Sequence, residues 1–579
     1  MNLPIPSIIN TTISKPRKTS DTIILAVVIA FLFFNVFKLT LFNFYLLPKQ
    51  TAAIFEYKLL MTLLIIIIIY PLIYSLKAKW VLITAYIIQS AYILINICYY
   101  KYFGNYLHVI QAISLLKEGA SVAGNGAIPL TPQMLIIFID LPFFVILLIH
   151  NFKNEKLIKK LHKIFKIAML VSLCAVVSIE AYNANQSKSI ANLMNDTYSG
   201  ESPIVERYGT VANNIVNLYL NSNENKMISQ FKYGNNLTSN DFNGSTGNSA
   251  SVCKPNYVII QVESMDANIV NQQYKGSYIT PFLHSLENSS VYYPYTLSYH
   301  EGGGTSDSEF SVMDSVEPLR FFPALKLTSY SFPNSFVSKM DDGQYSTFAF
   351  HGNVGSFYNR DVAFPKMGFQ VFDDMVQMKL PENGWGIPDN EVFEYGLGRL
   401  KAVKQPFMSY TITMTSHEPF NSARNYYNNS LYDDIEDKTV QNYYNSFSYV
   451  DESIKNYVQE IQKNFKNSYI IIYGDHTPGI NSNIYKQASF NMDGRYFEFV
   501  PMFVITPDGQ THKETSKAAS FIDVSPTVLQ TSGISFDLKS NGQNLTLPVI
   551  NDDNLPFKGG SYSRSLLFKK ASETSQKSQ

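Results

Sequence analysis

Cysteine is nearly absent, with three residues in a chain of 579. Cys98 and Cys174 lie inside apolar runs and Cys253 stands alone in a polar one. That excludes a disulfide framework and the paired CxxC spacing of a zinc site. Net charge is absent as well: 46 basic and 46 acidic residues leave a formal charge of +0. There is therefore no global electrostatic case for nucleic acid or for an acidic partner. No internal repeat is visible in the C-terminal half. What is present is a chain too long for one compact domain and split by composition. Up to about residue 182 it is dominated by Ile, Leu, Phe and Val. Beyond that it is rich in Asn, Ser, Tyr and Asp, in a globular rather than a disordered mix.

A helix needs about 20 mostly apolar residues to cross the hydrocarbon core. Five stretches meet or approach this: 22–46, 57–76, 80–100, 133–150 and 163–182. The fourth is interrupted by Asp140 and Pro142 and also reads as a re-entrant or interfacial helix. A cleaved signal peptide would explain only one of the five, and the first is too long for that role. Cations fall in alternate connections: Lys15, Arg17 and Lys18 at the start, Lys77 and Lys79 after the second stretch, and NFKNEKLIKKLHKIFK after the fourth. With five crossings all three lie on one face, the cytoplasmic one, because positive loops stay inside. The reading is a multi-pass cell-membrane protein with everything after about residue 182 extracellular. Segment 101–132 would then also be outside.

Residues 183–255 read as a linker region. They carry helical patches such as VANNIVNLYL at 211–220, then an Asn/Ser/Gly-rich stretch at 233–251. From 256 to 560 short apolar runs alternate with helical patterns. NYVIIQVES (256–264), STFAFHGN (346–353), PFMSYTITMTSH (406–417), NSYIIIYGDHT (467–477) and YFEFVPMFVITP (496–507) read as buried strands. ITPFLHSLENSS (279–290) and the long stretch 439–465 read as helices. Strands interleaved with helices predict an α/β domain around a central, mainly parallel sheet. The Ser/Lys-rich tail, 561–579, is expected to be disordered.

Ligands of open α/β sheets sit beyond the carboxyl ends of the strands. Here those ends carry Glu263, His351, His417, Asp475 and His476. A carboxylate from one strand and an Asp-His pair from another supply oxygen and nitrogen ligands suited to a divalent cation. HEGGGTSDSEF (300–310) adds a hydroxyl, Thr305, after three glycines that let the backbone approach a ligand. SDSEF can open a helix with Thr305 or Ser306 as its cap, and such a helix start can face an anion. Taken alone, the segment also reads as an ordinary Gly-rich turn.

Taken together, VIIQVES, TPFLHSL, GGGTSDSEF, FHGNVGSFYNRD, MGFQVFDD, TSHEPF, YGDHTPG and DVSPTVL, in this order, resemble the lipoteichoic acid synthase family of the alkaline phosphatase and sulfatase superfamily. VDESI (450–454) resembles the superfamily's helix before the metal strand. The resemblance implies a five-helix transmembrane domain (1–182) and an extracellular catalytic domain (256–560). It implies Thr305 as nucleophile and metal ligand, with Glu263, Asp475 and His476 as the other ligands, and one divalent cation, Mn2+ before Mg2+ or Zn2+. His351, Tyr358, Arg360 and His417 would hold the phosphoglycerol. Tyr358 stands where Trp is expected in the family, and Asn353 where an acid is common. The implied reaction moves glycerol phosphate from phosphatidylglycerol through a phospho-threonine to a growing polyglycerolphosphate chain or its glycolipid anchor, releasing diacylglycerol. Arg360 would clamp a phosphate oxygen with two donors. Either His417 or His476 would protonate the departing alkoxide.

Three rivals differ in sequence terms. A sulfatase needs a CxPSR-like motif, which is missing. A membrane-bound phosphoethanolamine transferase shares the threonine and five helices but would usually carry disulfides. A non-catalytic sensor would not need to keep Glu263, Thr305, Asp475 and His476 together.

Overall fold

The computed structural model describes residues 18–46, 57–75, 79–103, 132–142, 155–186, 188–190, 202–220, 224–239, 254–320, 322–480 and 482–576. The cations Lys15, Arg17 and Lys77, almost all of 101–132, most of the Asn/Ser/Gly-rich stretch and Cys253 lie outside them. The chain divides into two units, one of residues 1–107, 129–195 and 203–213, the other of 108–128, 196–202 and 214–579.

The first unit is helical. Its helices include α1 (Lys18–Leu46), α2 (Tyr57–Ser75), α3 (Lys79–Phe103), α4 (Glu155–Ala184) and the first part of α5 (Ser202–Leu220). Among the described residues one helix, His162–Ala184, is long and apolar enough to cross a membrane. Shorter apolar helical stretches cover Ile29–Asn43, Lys58–Leu72 and Ile83–Cys98. The fourth predicted stretch begins as a tight 3-10 helix, Pro132–Phe138. Its Asp140 pairs with Lys38 at 2.9 Å, both about 1% exposed. The Tyr86 hydroxyl also donates to Asp140, and Lys38 donates to Ser90 Oγ at 2.8 Å. The charges that interrupt two apolar runs thus neutralise each other inside the bundle, as buried charges must.

The second unit is built on a ten-stranded sheet. Five strands run parallel in the spatial order β6 (Ser468–Gly474), β1 (Asn256–Val262), β5 (Phe407–Ile412), β3 (Ser346–His351), β4 (Val371–Asp373). The sheet is mixed: six of its nine strand pairings are parallel, in keeping with the expected mainly parallel sheet, and three are antiparallel. β7 (Arg495–Ile505) lies antiparallel between β6 and β2 (Val291–Leu297). Among the described residues no crossover helix separates β6 from β7. The chain turns back at the carboxyl end of β6, and that return forces the antiparallel direction.

Both faces of the sheet are covered, which is why its strands read as unbroken apolar runs. Tyr257 and Ile259 of β1 enter one core, and Val258, Ile260 and Val262 enter the other. Helix α8 (Lys438–Asn464) lines the second core through Val450, Ile454, Val458 and Ile461. Asp451, in the VDESI string, accepts from the backbone N–H of Phe282 and Leu283 at 2.9 and 2.8 Å. It thereby fastens the start of helix Pro281–Leu286, the TPFLHSL string, so two of the recognised strings hold each other.

Two further expectations change. Residues 235–238, inside the predicted linker, pair antiparallel with 537–540 as part of the second unit. The tail is not disordered where it is described. It completes a hairpin (Asn554–Phe557 with Gly560–Ser563) and forms α9 (Arg564–Gln576). Leu567 and Ala571 are buried there, and Arg564 makes two bonds to Asp523, of 2.7 and 2.8 Å.

Candidate active site

β1 and β6 are neighbours in register, Val262 opposite Gly474, so their exits bring Glu263 and Asp475 together. Gly474 allows the approach, because a Cβ there would lie 2.0 Å from the Met265 carbonyl oxygen. Glu263, Asp475 and His476 each offer a ligand atom within 4.8 Å of the others. His476 Nε2 is 3.3 Å from Glu263 Oε1 and 3.6 Å from Asp475 Oδ2.

The orientation of each group is fixed. Asp475 Oδ1 accepts from the backbone of Ser264 and His476, both at 2.7 Å. Asp475 Oδ2 is buried without a hydrogen bond. The His476 Nδ1–H donates to the Thr477 carbonyl at 2.9 Å, which turns Nε2 toward the carboxylates. That is the arrangement by which proteins orient a ligating imidazole. Two buried carboxylates on one imidazole repel each other. Burial and Glu263 push Asp475 well above the ordinary carboxyl range, while His476 and His417 outweigh burial and hold Glu263 below it. A divalent cation removes that conflict, so the donor set fits one.

Thr305 begins α6 (Thr305–Asp314). It does not cap the helix, and neither does Ser306. Gly304 is the cap, at φ 55°, a conformation that favours glycine. The Asp307 carboxylate accepts from the backbone of Glu301 and Gly303 at 2.8 and 2.9 Å and folds the glycine run onto the helix start. The Thr305 hydroxyl, half-buried, donates to Glu263 Oε2 at 3.2 Å. A nucleophile-type hydroxyl, three cation-type ligands and a helix N-terminus therefore meet at one point.

The remaining predicted residues surround it. His351 and Arg360 meet, with Arg360 Nη1 donating to His351 Nε2 at 3.3 Å. Burial and the Arg360 charge keep the His351 imidazole far below its ordinary pKa, so it is neutral. Arg360 does not present a free two-donor fork, which corrects the expectation of a phosphate clamp. Its Nε and Nη2 are spent on Glu309, at 2.9 and 2.5 Å, because a guanidinium 2% exposed needs a countercharge. Glu309 lies four residues after Thr305, one helical turn along the same face. Tyr358 sits at φ 56° with its hydroxyl over Gly304, 2.8 Å from where a Cβ would be, and its ring 5.3 Å from the Arg360 guanidinium. Asn353 caps no catalytic group; its side chain accepts from the backbone of Val354. The His417 Nδ1–H donates to the Glu418 carbonyl at 2.8 Å.

Four residues here escaped the sequence reading. Glu309 was visible only as part of the SDSEF string, and its spacing from Thr305 was the available signal. His300 stacks on His476 (4.3 Å between rings) and donates from Nδ1 to Glu498 at 3.1 Å. Glu498, a charge inside an apolar strand, also accepts from the Thr477 hydroxyl. Trp385 packs on His417, 4.2 Å between rings.

Two family models match the chain, the lipoteichoic acid synthase N-terminal domain over residues 8–230 and the sulfatase domain over 255–534. The chain belongs to the lipoteichoic acid synthase family. Within the family it is similar to lipoteichoic acid synthase 2 of Bacillus subtilis, 25% identical over 519 residues that span 83% of this chain and 76% of that protein. It is 26% identical to lipoteichoic acid synthase of Staphylococcus saprophyticus over 519 residues, 82% of this chain and 77% of that one. Among solved structures, the integral membrane protein lipooligosaccharide phosphoethanolamine transferase A from Neisseria meningitidis matches 88% of this chain and 97% of its own, with a TM-score of 0.55 at 13% identity. At that identity the likeness concerns the fold alone.

Proposed function

We propose that the protein transfers glycerol phosphate from phosphatidylglycerol to the tip of a polyglycerolphosphate chain or to its glycolipid anchor, through a covalent Thr305 intermediate. The observation that carries this is the Thr305 hydroxyl at the start of α6, 3.2 Å from a carboxylate that shares a site with Asp475 and His476. Glu263, Asp475, His476 and Thr305 would hold the cation, Mn2+ on the strength of the resemblance. When bound, a divalent cation stabilises an alkoxide and withdraws charge from a phosphoryl oxygen.

The chain's own residues divide the remaining work. Thr305 Oγ, having given up its proton to solvent before the cycle, attacks phosphorus as the alkoxide while the bond to the diacylglycerol oxygen breaks. That oxygen takes a proton and leaves as diacylglycerol. His476 Nε2 faces the carboxylates, so His417 is the imidazole left to supply the proton. In the second half an acceptor hydroxyl gives up its proton to His417 and attacks phosphorus, and Thr305 leaves as the alkoxide again. Neutral His351 and the Arg360–Glu309 pair form a fixed wall beside Thr305, and the N-terminus of α6 favours the anionic group. Five membrane crossings, with the catalytic unit extracellular, keep the site next to its lipid donor.

The test supplies the full chain in vesicles with phosphatidylglycerol or phosphatidylethanolamine and Mn2+, and measures diacylglycerol. Release from phosphatidylglycerol alone, abolished by Thr305→Ala, is expected. Release from phosphatidylethanolamine alone would make the protein a phosphoethanolamine transferase.

A further inference from the structure

Trp385 belongs to a short turn, residues 383–389, with no role in the scheme above. The turn spans the two histidine loops. On one side the Ile387 N–H donates to the Gly352 carbonyl at 2.8 Å, directly after His351. On the other, the Asp389 carboxylate accepts from the backbone of Met414 at 2.7 Å and of Thr415 at 3.2 Å, on the way to His417. Between these anchors Trp385 lays its indole on the His417 ring, 4.2 Å away and tilted by 38°. The other face of the histidine problem is already fixed, because its Nδ1–H is held by the Glu418 carbonyl. Ring position and ring rotation are thus set by two different partners.

The indole has a second property. Trp385 is 5% exposed, yet its Nε1–H has no hydrogen-bond partner among the described residues. A buried indole N–H is normally satisfied, and an orphan donor calls for a partner that arrives with a ligand. It lies beside His417. Trp385 therefore brings an unused donor beside that imidazole, whereas the Nε/Nη2 edge of Arg360 is committed to Glu309.

We propose that Trp385 is a head-group-binding and positioning residue, holding His417 through its ring and donating its indole N–H to an oxygen of the glycerol phosphate. This rests on the glycerol-phosphate reading above. It would also place a tryptophan in the head-group pocket of a chain that has Tyr358 at the position where Trp was expected.

The chain has two tryptophans, Trp80 and Trp385. Trp80 lies in α3 and is well exposed, so in a Trp80→Phe full chain the tryptophan fluorescence, excited apart from the tyrosines, comes from Trp385 alone. Free glycerol phosphate is titrated into that protein in detergent with Mn2+, which reads Trp385 whether or not lipid turns over. In parallel, Trp385→Phe keeps an aromatic ring on His417 and removes the donor, and its kinetics are measured with phosphatidylglycerol. A saturable fluorescence change is expected, with KM raised about tenfold in Trp385→Phe and kcat within about threefold of the unmodified chain. A role confined to core packing would lower thermal stability without this split. A silent fluorescence titration, or an unchanged KM in Trp385→Phe, overturns the assignment. Failure of the unmodified chain to release diacylglycerol counts instead against the glycerol-phosphate reading, and the fluorescence titration then judges Trp385 separately.

Discussion

Glu309 shows how much of this site is held by a residue that touches no substrate. It shares a helix face with Thr305 and carries the whole two-donor edge of Arg360. Replacing it by Gln leaves a buried guanidinium without its countercharge, a cost of about 3–5 kcal/mol. Glu309→Gln is expected to lower the melting temperature and to cut turnover by displacing Arg360 and His351. A variant that melts and turns over normally would remove Glu309 from the account. Glu498 offers a pH test. Burial pushes its carboxyl up, but His300 and Thr477 outweigh burial and set it at about 2, below the ordinary 4.5. The ionised form is favoured in the folded chain, so its contribution is complete above about pH 4.5 and is lost as pH falls toward 2. Glu498→Gln should lower the melting temperature near pH 5 and show a shallower fall in melting temperature between pH 5 and pH 3. An unchanged slope contradicts this. The residues that meet at the candidate site, Glu263, Thr305, Asp475 and His476, stood out in the sequence because each ends an apolar run or follows a glycine run. The pairs around them did not, since Glu309 to Arg360 and His300 to Glu498 are contacts between distant segments that no local pattern records.

At the scale of elements, the strands were legible and one direction was not. Each of the five predicted runs is a strand, because burial on both faces leaves an unbroken apolar string. β7 reads as an apolar run like the parallel strands of the sheet, and its direction follows from the missing crossover helix. The C-terminal helix was obscured for a similar reason. Its Ser/Lys-rich surface reads as disorder, while its anchoring rests on Arg564 reaching back to Asp523 and Asp553. In the helical unit, Asp140 looked like a flaw in an apolar stretch until Lys38 was placed beside it. Lys38→Met or Asp140→Leu alone leaves one buried charge and should cost about 3–5 kcal/mol, whereas the double replacement should recover most of it. Thermal melting of the full chain in detergent reads this. Additive losses in the double variant would show that the two residues do not act as a pair.

The whole molecule joins a helical unit to a catalytic unit of different composition, and the join was legible as that change of composition. Protease added outside intact cells is expected to digest the segment after residue 213 and to spare the helical unit. A protected catalytic unit contradicts the five-crossing topology. The proposed reaction depends on one covalent bond, between Thr305 Oγ and phosphorus. The full chain, incubated with phosphatidylglycerol in vesicles and quenched in acid, is digested and the peptide carrying Thr305 is weighed. A glycerolphosphoryl adduct on Thr305, absent in Thr305→Ala together with diacylglycerol release, is the predicted result. Diacylglycerol release that persists in Thr305→Ala, with no adduct in the unmodified chain, would contradict it.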